Sequence, residues 1–417
     1  MAIFRHSAEL GKTLDLEDFA RRLLNDLLQI TSAEWFVLRL LAKEGAHLAV
    51  FCASEPFQAS PPVNAAPTPA ATNSVEAEAA VTRQDVWFDA QRPLAAADPL
   101  GQVRPGAMGL AHPFFFGETF FGTLTLGKSS GPQPFTAAQK NVIHTFADFL
   151  AIQVVNARFR EEQVSSRLVS HELDIAQNIQ RSLLPKSLPQ LPGLGLAGFC
   201  ESARQVGGDF YDVLQLGQHS LLLVIADVMG KGIPAAMFAA ILRSLVRAAP
   251  ELSSQPAALL ARVNRLLHDD LSGVEMFITA QLVFVDAKHR WLVTASAGHC
   301  PALLTVAADG PVRTLSPEGM PLGILPDTAF SDETSELAPH SRLLLYTDGL
   351  TEARNAKGEL FGQHRLTAWL KQTAARPLTA EQLKTELAAE LARFNGNRPF
   401  TDDQTFLILA DESPASA

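Results

Sequence analysis

The chain has 417 residues, 47% of them hydrophobic, with a formal net charge of −10; this predicts two domains and, with no long Lys/Arg run, argues against a nucleic-acid partner. Cys52, Cys200 and Cys300 lie far apart without a CxxC pair, which fits free thiols in a reducing cytoplasm. Met1–Lys12 lacks the apolar stretch of a signal peptide, and no run approaches the roughly 18 apolar residues of a membrane helix, so the expectation is a soluble cytoplasmic protein without a membrane partner.

In chain order, residues 14–30 (LDLEDFARRLLNDLLQI) carry apolar side chains at helical spacing, with Asp15 and Asp18 near the start. Strand-like runs follow at 35–41 and 47–52. The stretch 55–73, rich in Pro, Ala and Ser, predicts a mobile loop. A short helix over 75–81 and a short strand over 86–88 come next. Two apolar runs, 109–116 and 120–126, are separated by Gly117-Glu118-Thr119, a hairpin signal. Residues 135–156 are strongly helical. A helix, a set of strands and a closing helix make an α+β unit. That order resembles a GAF domain, a small sensory fold, over residues 14–157 after a tail of 1–13. The resemblance implies a sensor, and no residue set names its ligand. Cys52 and the aromatics Phe114, Phe115, Phe116, Phe120 and Phe121 read as packing and hairpin face.

Residues 158–184 contain no Gly or Pro and are highly polar, with apolar positions at Val164, Leu168, Leu173, Ile175, Ile179 and Leu183 before Pro185 and Pro189. A long polar helix with so narrow an apolar face suits pairing with a second copy, the alternative being a helix lying against its own domains, so 158–190 is expected to be a helical linker that makes a homodimer. The remainder alternates strands (198–203, 210–216, 221–227, 279–286, 291–297, 302–306, 342–347, 405–410) with helices (234–248, 256–270, 365–372, 379–394), a layered sheet core over 191–411 followed by a tail of 412–417.

Four acidic motifs stand out in this half: Gly207-Gly208-Asp209-Phe210-Tyr211-Asp212, Asp227-Val228-Met229-Gly230-Lys231-Gly232, Tyr346-Thr347-Asp348-Gly349 and Asp402-Asp403-Gln404-Thr405. Each places an Asp beside Gly or at the end of a strand-like run, where it is held rigidly and partly desolvated. Such carboxylates repel one another and protonate unless a cation neutralises them. Oxygen ligands suit Mg²⁺ or Mn²⁺ over Zn²⁺. The chain has no HExxH, no Cys-x5-Arg loop, no GxSxG elbow and no GxxxxGKS loop, so the chemistry points away from a protein nucleophile and towards metal-assisted hydrolysis.

The segment from about 175 to 410 resembles the metal-dependent protein phosphatase (PPM) family, in its bacterial SpoIIE/RsbU branch. The matching residues are Ala176–Pro185, Val206–Asp212, Asp227–Gly232, Met276–Thr279, Ala297–His299, Leu322-Gly323 and Asp402–Thr405; Cys300-Pro301-Ala302 departs from the branch's Asn-Pro-Pro. The resemblance implies an αββα sandwich, so that the whole chain is α+β, with the two domains joined by a long helix. It implies a two-metal centre, Mn²⁺ or Mg²⁺, in which an activated water hydrolyses phosphoserine or phosphothreonine. Carried over residue by residue, Asp209 and Asp402 hold the first metal, with Asp403 the alternative to Asp402. Asp227 bridges both, and Asp348 with the Val228 carbonyl holds the second. Asp212 supports the site by hydrogen bonding, Lys231 is solvated or meets phosphate, His299 orders a loop, and Arg204 is a weak phosphate-binding candidate. In this branch the substrate is typically a phosphorylated STAS-type anti-sigma-factor antagonist, here under GAF control. The alternatives left open are a catalytically silent binding platform and a phosphoesterase acting on small molecules.

Overall fold

The computed structural model of the chain describes residues 15–42, 47–64, 73–131, 133–306, 310–396, 398 and 400–413, without the side chains of 161, 162, 165, 166 and 168. The expected tail 1–13, residues 65–72 of the expected loop and most of the final tail lie outside them. The chain divides into two compact units between Arg167 and Leu168.

In the first unit, helix α1 (Leu16–Thr31) buries Phe19, Ala20, Leu23, Leu24 and Leu27, three and four residues apart, along one stripe. The stripe covers a six-stranded antiparallel sheet built from β1 (Trp35–Leu41), β2 (His47–Ala53), β3 (Val63–Asn64), β4 (Val86–Phe88), β5 (Met108–Phe116) and β6 (Thr119–Lys128), in the order β3-β2-β1-β6-β5-β4. Helices α2 (Val75–Thr82) and α3 (Pro99–Val103) and the part of α4 (Ala137–Leu183) up to Arg167 complete the unit. The two-residue period of β1 divides the faces. Phe36 and Leu38 pack with α1 and with Ile143, Phe146 and Leu150 of α4, while Trp35 and Val37 pack with Val75 and Leu100. Cys52 is buried in the first of these cores.

Two expectations change here. The segment 55–73 is not loop throughout: a 3₁₀ turn at Phe57–Ala59 buries Phe57, and β3 pairs Val63 with Leu48. The closing helix and the linker helix are one 47-residue helix, α4, because nothing between Phe135 and Leu184 is Gly or Pro. The position 157/158 therefore falls inside a helix.

The second unit contains β7 (Leu194–Glu201), β8 (Phe210–Gln215), β9 (Ser220–Val228), α5 (Ile233–Arg247), α6 (Pro256–Ser272), β10 (Ile278–Asp286), β11 (Trp291–Ala297), β12 (Ala302–Thr305), β13 (Val312–Leu315), β14 (Glu333–Glu336), β15 (Arg342–Tyr346), α7 (Asp348–Thr351), α8 (Gly362–Ala374), α9 (Ala380–Asn395) and β16 (Gln404–Asp411). Two antiparallel sheets, β14-β11-β10-β9-β8 and β13-β12-β15-β16-β7, stack face to face. In β9, Leu222, Val224 and Ala226 face α5 and α6, whereas Leu221, Leu223 and Ile225 meet Leu343, Leu345, Leu407 and Leu409 of the other sheet. Leu344, Tyr346, Phe406 and Ile408 turn outward onto α8 and α9. The result is an αββα sandwich of three apolar layers. Short β13 and β14 and the single-turn α7 escaped sequence reading because four-residue elements carry too little periodicity.

Candidate metal centre

At one end of the sandwich the layer between the sheets changes chemistry. The inward positions Tyr211, Ile225, Val283, Leu345 and Leu407 are apolar. Further along the same alternating faces come Asp209, Asp227, Thr279, Thr347 and Thr405. Asp348 opens α7 directly after β15, and Asp402 stands two residues before β16. Asp227, Asp348 and Asp402 line a cavity of ≈ 280 Å³ with Lys231, Thr279 and His299. Asp209 is 3% exposed and in hydrogen-bonding contact with Asp227. Four chain segments spread over nearly two hundred residues thus bring their carboxylates together.

Glycine makes the approach feasible at two points. A Cβ on Gly208 would come within 2.5 Å of the Val228 carbonyl oxygen, and one on Gly349 within 1.8 Å of the Asp403 carbonyl oxygen. The hydroxyl of Thr347 donates to Asp209 Oδ2 at 2.7 Å and fixes that carboxylate's orientation.

The electrostatics are those of an under-neutralised cluster. Burial, followed by the charges of Asp348 and Asp402, pushes the Asp227 carboxyl up to about 7. Burial and then Asp227 raise Asp209 well above the usual carboxylate range, and burial, Glu352 and Asp402 raise Asp348. Lys231 is the cation that meets the cluster: its Nζ lies 2.9 Å from Asp402 Oδ1 and donates to the Thr401 carbonyl at 2.7 Å. An all-oxygen donor set that repels itself this strongly fits hard divalent cations.

Other expected residues fall elsewhere. Asp403 sits beside Asp402 but faces away from the cavity: Ala203 N–H and Gly208 N–H donate to its two oxygens, each at 2.8 Å, so it anchors the 203–208 loop. Asp212 does not touch the other acids. One residue past the inward Tyr211, it points to the helical side, where Arg247 donates to both its oxygens and Arg243 lies at 3.3 Å. It thereby ties β8 to α5, the helix that follows the Asp227–Gly232 loop. His299 is buried, and its Nδ1 contacts the Thr279 hydroxyl at 2.9 Å while its N–H donates to Ser296. Burial pushes its imidazole down to about 4, which keeps it neutral. Arg204 is exposed on the 202–209 loop.

The family profile for Stage II sporulation protein E (SpoIIE) matches residues 217–410, and the profile for the GAF domain matches 15–154. The chain joins a GAF domain to a SpoIIE-type PPM domain. The phosphoserine phosphatase RsbU of Bacillus subtilis is 31% identical over 192 residues, 46% of this chain and 57% of that protein. Protein IcfG of Synechocystis is 30% identical over 265 residues, 57% of this chain and 41% of that protein. The chain therefore spans about half the length of these relatives. Among solved structures, the SiaA-PP2C domain of Pseudomonas aeruginosa superposes with a TM-score of 0.52 at 27% identity, covering 59% of this chain and 98% of that one.

The SpoIIE profile begins after Asp209. Of two contacts made before that point, the first had no partner assigned in the sequence, while the second, packing of the 175–184 helix on the 234–248 helix, agrees with the apolar character of both. Gln180, near the end of α4, donates through Nε2 to the Gly207 carbonyl at 2.7 Å and accepts from Gly207 N–H at 3.2 Å. Leu183 and Leu184 lie beside Phe210, Ala236 and Ala239 of the SpoIIE domain. Gln180 and Thr347 both stood inside quoted motifs; what the sequence did not supply was their partner.

Proposed function

We propose that the chain is a metal-dependent serine/threonine protein phosphatase of bacterial signalling, with its activity governed through the GAF domain. The observation that carries this is the convergence of Asp227, Asp348 and Asp402 at a cavity, with Asp209 against Asp227 and with raised pKa values for Asp209, Asp227 and Asp348, where among the described residues only Lys231 is offered in return. In this reading Asp209 and Asp402 hold one divalent cation, Asp348 and the Val228 carbonyl hold another, and Asp227 is shared; Asp402 is preferred to Asp403 because the latter's oxygens serve the backbone. Two such cations, Mn²⁺ or Mg²⁺, supply activation of a water and charge neutralisation at the transferring phosphoryl group. The chain's own part is orientation. Thr347 fixes Asp209, Asp403 and Gln180 fix the 203–208 loop, and the Asp212–Arg247 pair fixes α5. Lys231, once cations neutralise Asp402, is placed at the cavity rim to meet a phosphate oxygen.

The substrate class is a phosphoserine protein, supported by the relative RsbU, whose name is phosphoserine phosphatase; we take the partner to be a STAS-type anti-sigma-factor antagonist in the cytoplasm. Dimerisation through α4 is supported by the exposed Phe159, Val164, Val169, Ile175 and Ile179 along it. Among the described residues no helix is long and apolar enough to cross a membrane. The test is release of phosphate from p-nitrophenyl phosphate, a nucleotide and a phosphoserine protein, with Mn²⁺, Mg²⁺ or chelator, beside Asp227→Asn. Cation-dependent release preferring the phosphoprotein and lost in the variant is expected. Turnover that survives in the variant refutes the assignment. Absence of turnover under every ion, in the full chain, favours the binding-platform alternative.

A further inference from the structure

The second cluster of chemistry-bearing side chains lies in the GAF domain. Strand β4 pairs with β5 in antiparallel register, Val86 with Ala111 and Trp87 with Leu110. Asp85, one residue before β4, therefore comes opposite His112. His112 shares a strand face with Leu110 and Phe114, which pack beneath α1 and α4. On α4, Lys140 and His144 are four residues apart and so lie on one side of the helix. All four side chains meet. Asp85 Oδ1 is 2.6 Å from His112 Nδ1, and Oδ2 is 2.9 Å from His144 Nε2 and 2.7 Å from Lys140 Nζ. The two imidazoles stack with centroids 4.1 Å apart. The ligand atoms of Asp85, His112 and His144 all lie within 4.8 Å of one another.

We propose that Asp85, His112 and His144 form a site for one borderline divalent transition-metal ion, Zn²⁺, Co²⁺ or Ni²⁺, with Lys140 the built-in cation that holds the carboxylate when the metal is absent. Two imidazoles and one carboxylate are the donor set such ions take with the remaining positions open to water, and it differs in kind from the all-oxygen cluster around Asp227. Each ring already turns a nitrogen towards the carboxylate, so an ion replaces the protons shared along those lines. The carboxylate–imidazole separations open from hydrogen-bond length to the roughly 3.3 Å between ligand atoms of a tetrahedral ion, and the rings, 21° from parallel, tilt so that both nitrogens aim at it. Metal ligation needs neutral imidazole. The stacked rings favour it, since burial and then the neighbouring His112 hold His144 below its usual value. Lys140 is free to yield: its side chain is 36% exposed, and its ammonium lies 5.7 Å from the Trp87 ring, which can hold it in place of the carboxylate.

The experiment uses the full chain with Mg²⁺ in large excess to occupy oxygen-rich sites, and titrates Co²⁺ while visible absorption reports nitrogen-ligated cobalt. One saturable equivalent is expected. His144→Ala and, separately, His112→Ala should raise the half-saturating Co²⁺ by at least about tenfold, and Lys140→Met should lower it severalfold, with melting curves confirming that each variant is folded. His144 is at the helix surface, so its variant keeps the test open if His112→Ala folds poorly. No saturable band, a band unchanged in His112→Ala/His144→Ala, or weaker binding in Lys140→Met overturns the proposal.

Discussion

Two carboxylate-centred clusters, one in each unit, solve the same problem in opposite ways. In the GAF domain a single carboxylate, Asp85, faces Lys140, His112 and His144; burial raises its pKa, but hydrogen bonds from His112 and Lys140 outweigh that and hold it below the usual range. In the SpoIIE domain Asp227, Asp348 and Asp402 line one small cavity with Lys231 and Asp209 touches Asp227; Asp209, Asp227 and Asp348 are pushed upward, Asp227 to about 7. The first cluster carries its own countercharge, Lys140, beside the carboxylate. The second carries a deficit, which protons relieve at low pH and divalent cations from solution would relieve at neutral pH. Shifted pKa values in opposite directions thus separate a carboxylate with cations at hand from a cluster left with excess negative charge.

The largest effect expected is at Asp227. Asp227→Asn should lower cation-dependent phosphate release on the order of a thousandfold, the loss of several kcal/mol of transition-state stabilisation. The same variant should stabilise the metal-free chain. A carboxyl whose folded pKa is raised favours the folded state when protonated, so its cost grows as pH rises from its unfolded value through about 7. Thermal melts without metal should therefore show a gain for the variant that is largest near pH 8 and shrinks towards pH 4. A variant less stable than wild type at pH 8 would break the comparison.

Asp85→Asn should behave in the opposite sense. Its carboxylate has a depressed folded pKa, so the stability it contributes is present above its unfolded value and lost as pH falls through the folded one. The substitution should cost about 2 kcal/mol at pH 7, from loss of charged hydrogen bonds, and the deficit measured by urea unfolding should narrow in acid. Thr347→Val removes the hydroxyl that orients Asp209. It should reduce turnover about tenfold, with Thr347→Ser close to wild type. The smallest effect expected is at Lys231. Lys231→Ala should tighten Mn²⁺ binding slightly, by freeing Asp402, while raising KM for a phosphoprotein about threefold, within the range of exposed ion pairs.

Much of this could be read in the residues. Strands apolar on both faces, such as 221–227 and 405–410, announce a layered sheet core, while the αββα arrangement came from the resemblance to the PPM family. The acids were visible because each lies beside a glycine or next to such a run. What the sequence could not supply was side-chain direction near strand ends. Asp209 and Asp212 are three residues apart in one motif, yet the two-residue period sends Asp212 to the helical face and to Arg247. Asp402 and Asp403 are adjacent, and only the hydrogen bonds from Ala203 and Gly208 distinguish the anchor from its neighbour. The cluster around Asp85 left no trace in the sequence, because 85, 112 and 144 belong to no motif and meet only through the β4–β5 register and the pitch of α4.

The deficit at Asp227 is tested most directly by calorimetric titration of Mn²⁺ into the full chain near pH 6.5, in buffers of different ionisation enthalpy, beside Asp227→Asn. The account predicts that wild type binds Mn²⁺ and releases protons as it does so, because Asp227 and Asp209 give up theirs on meeting the cations, and that Asp227→Asn binds far more weakly with less proton release. Binding of equal strength in both proteins, or binding without proton release, would contradict it.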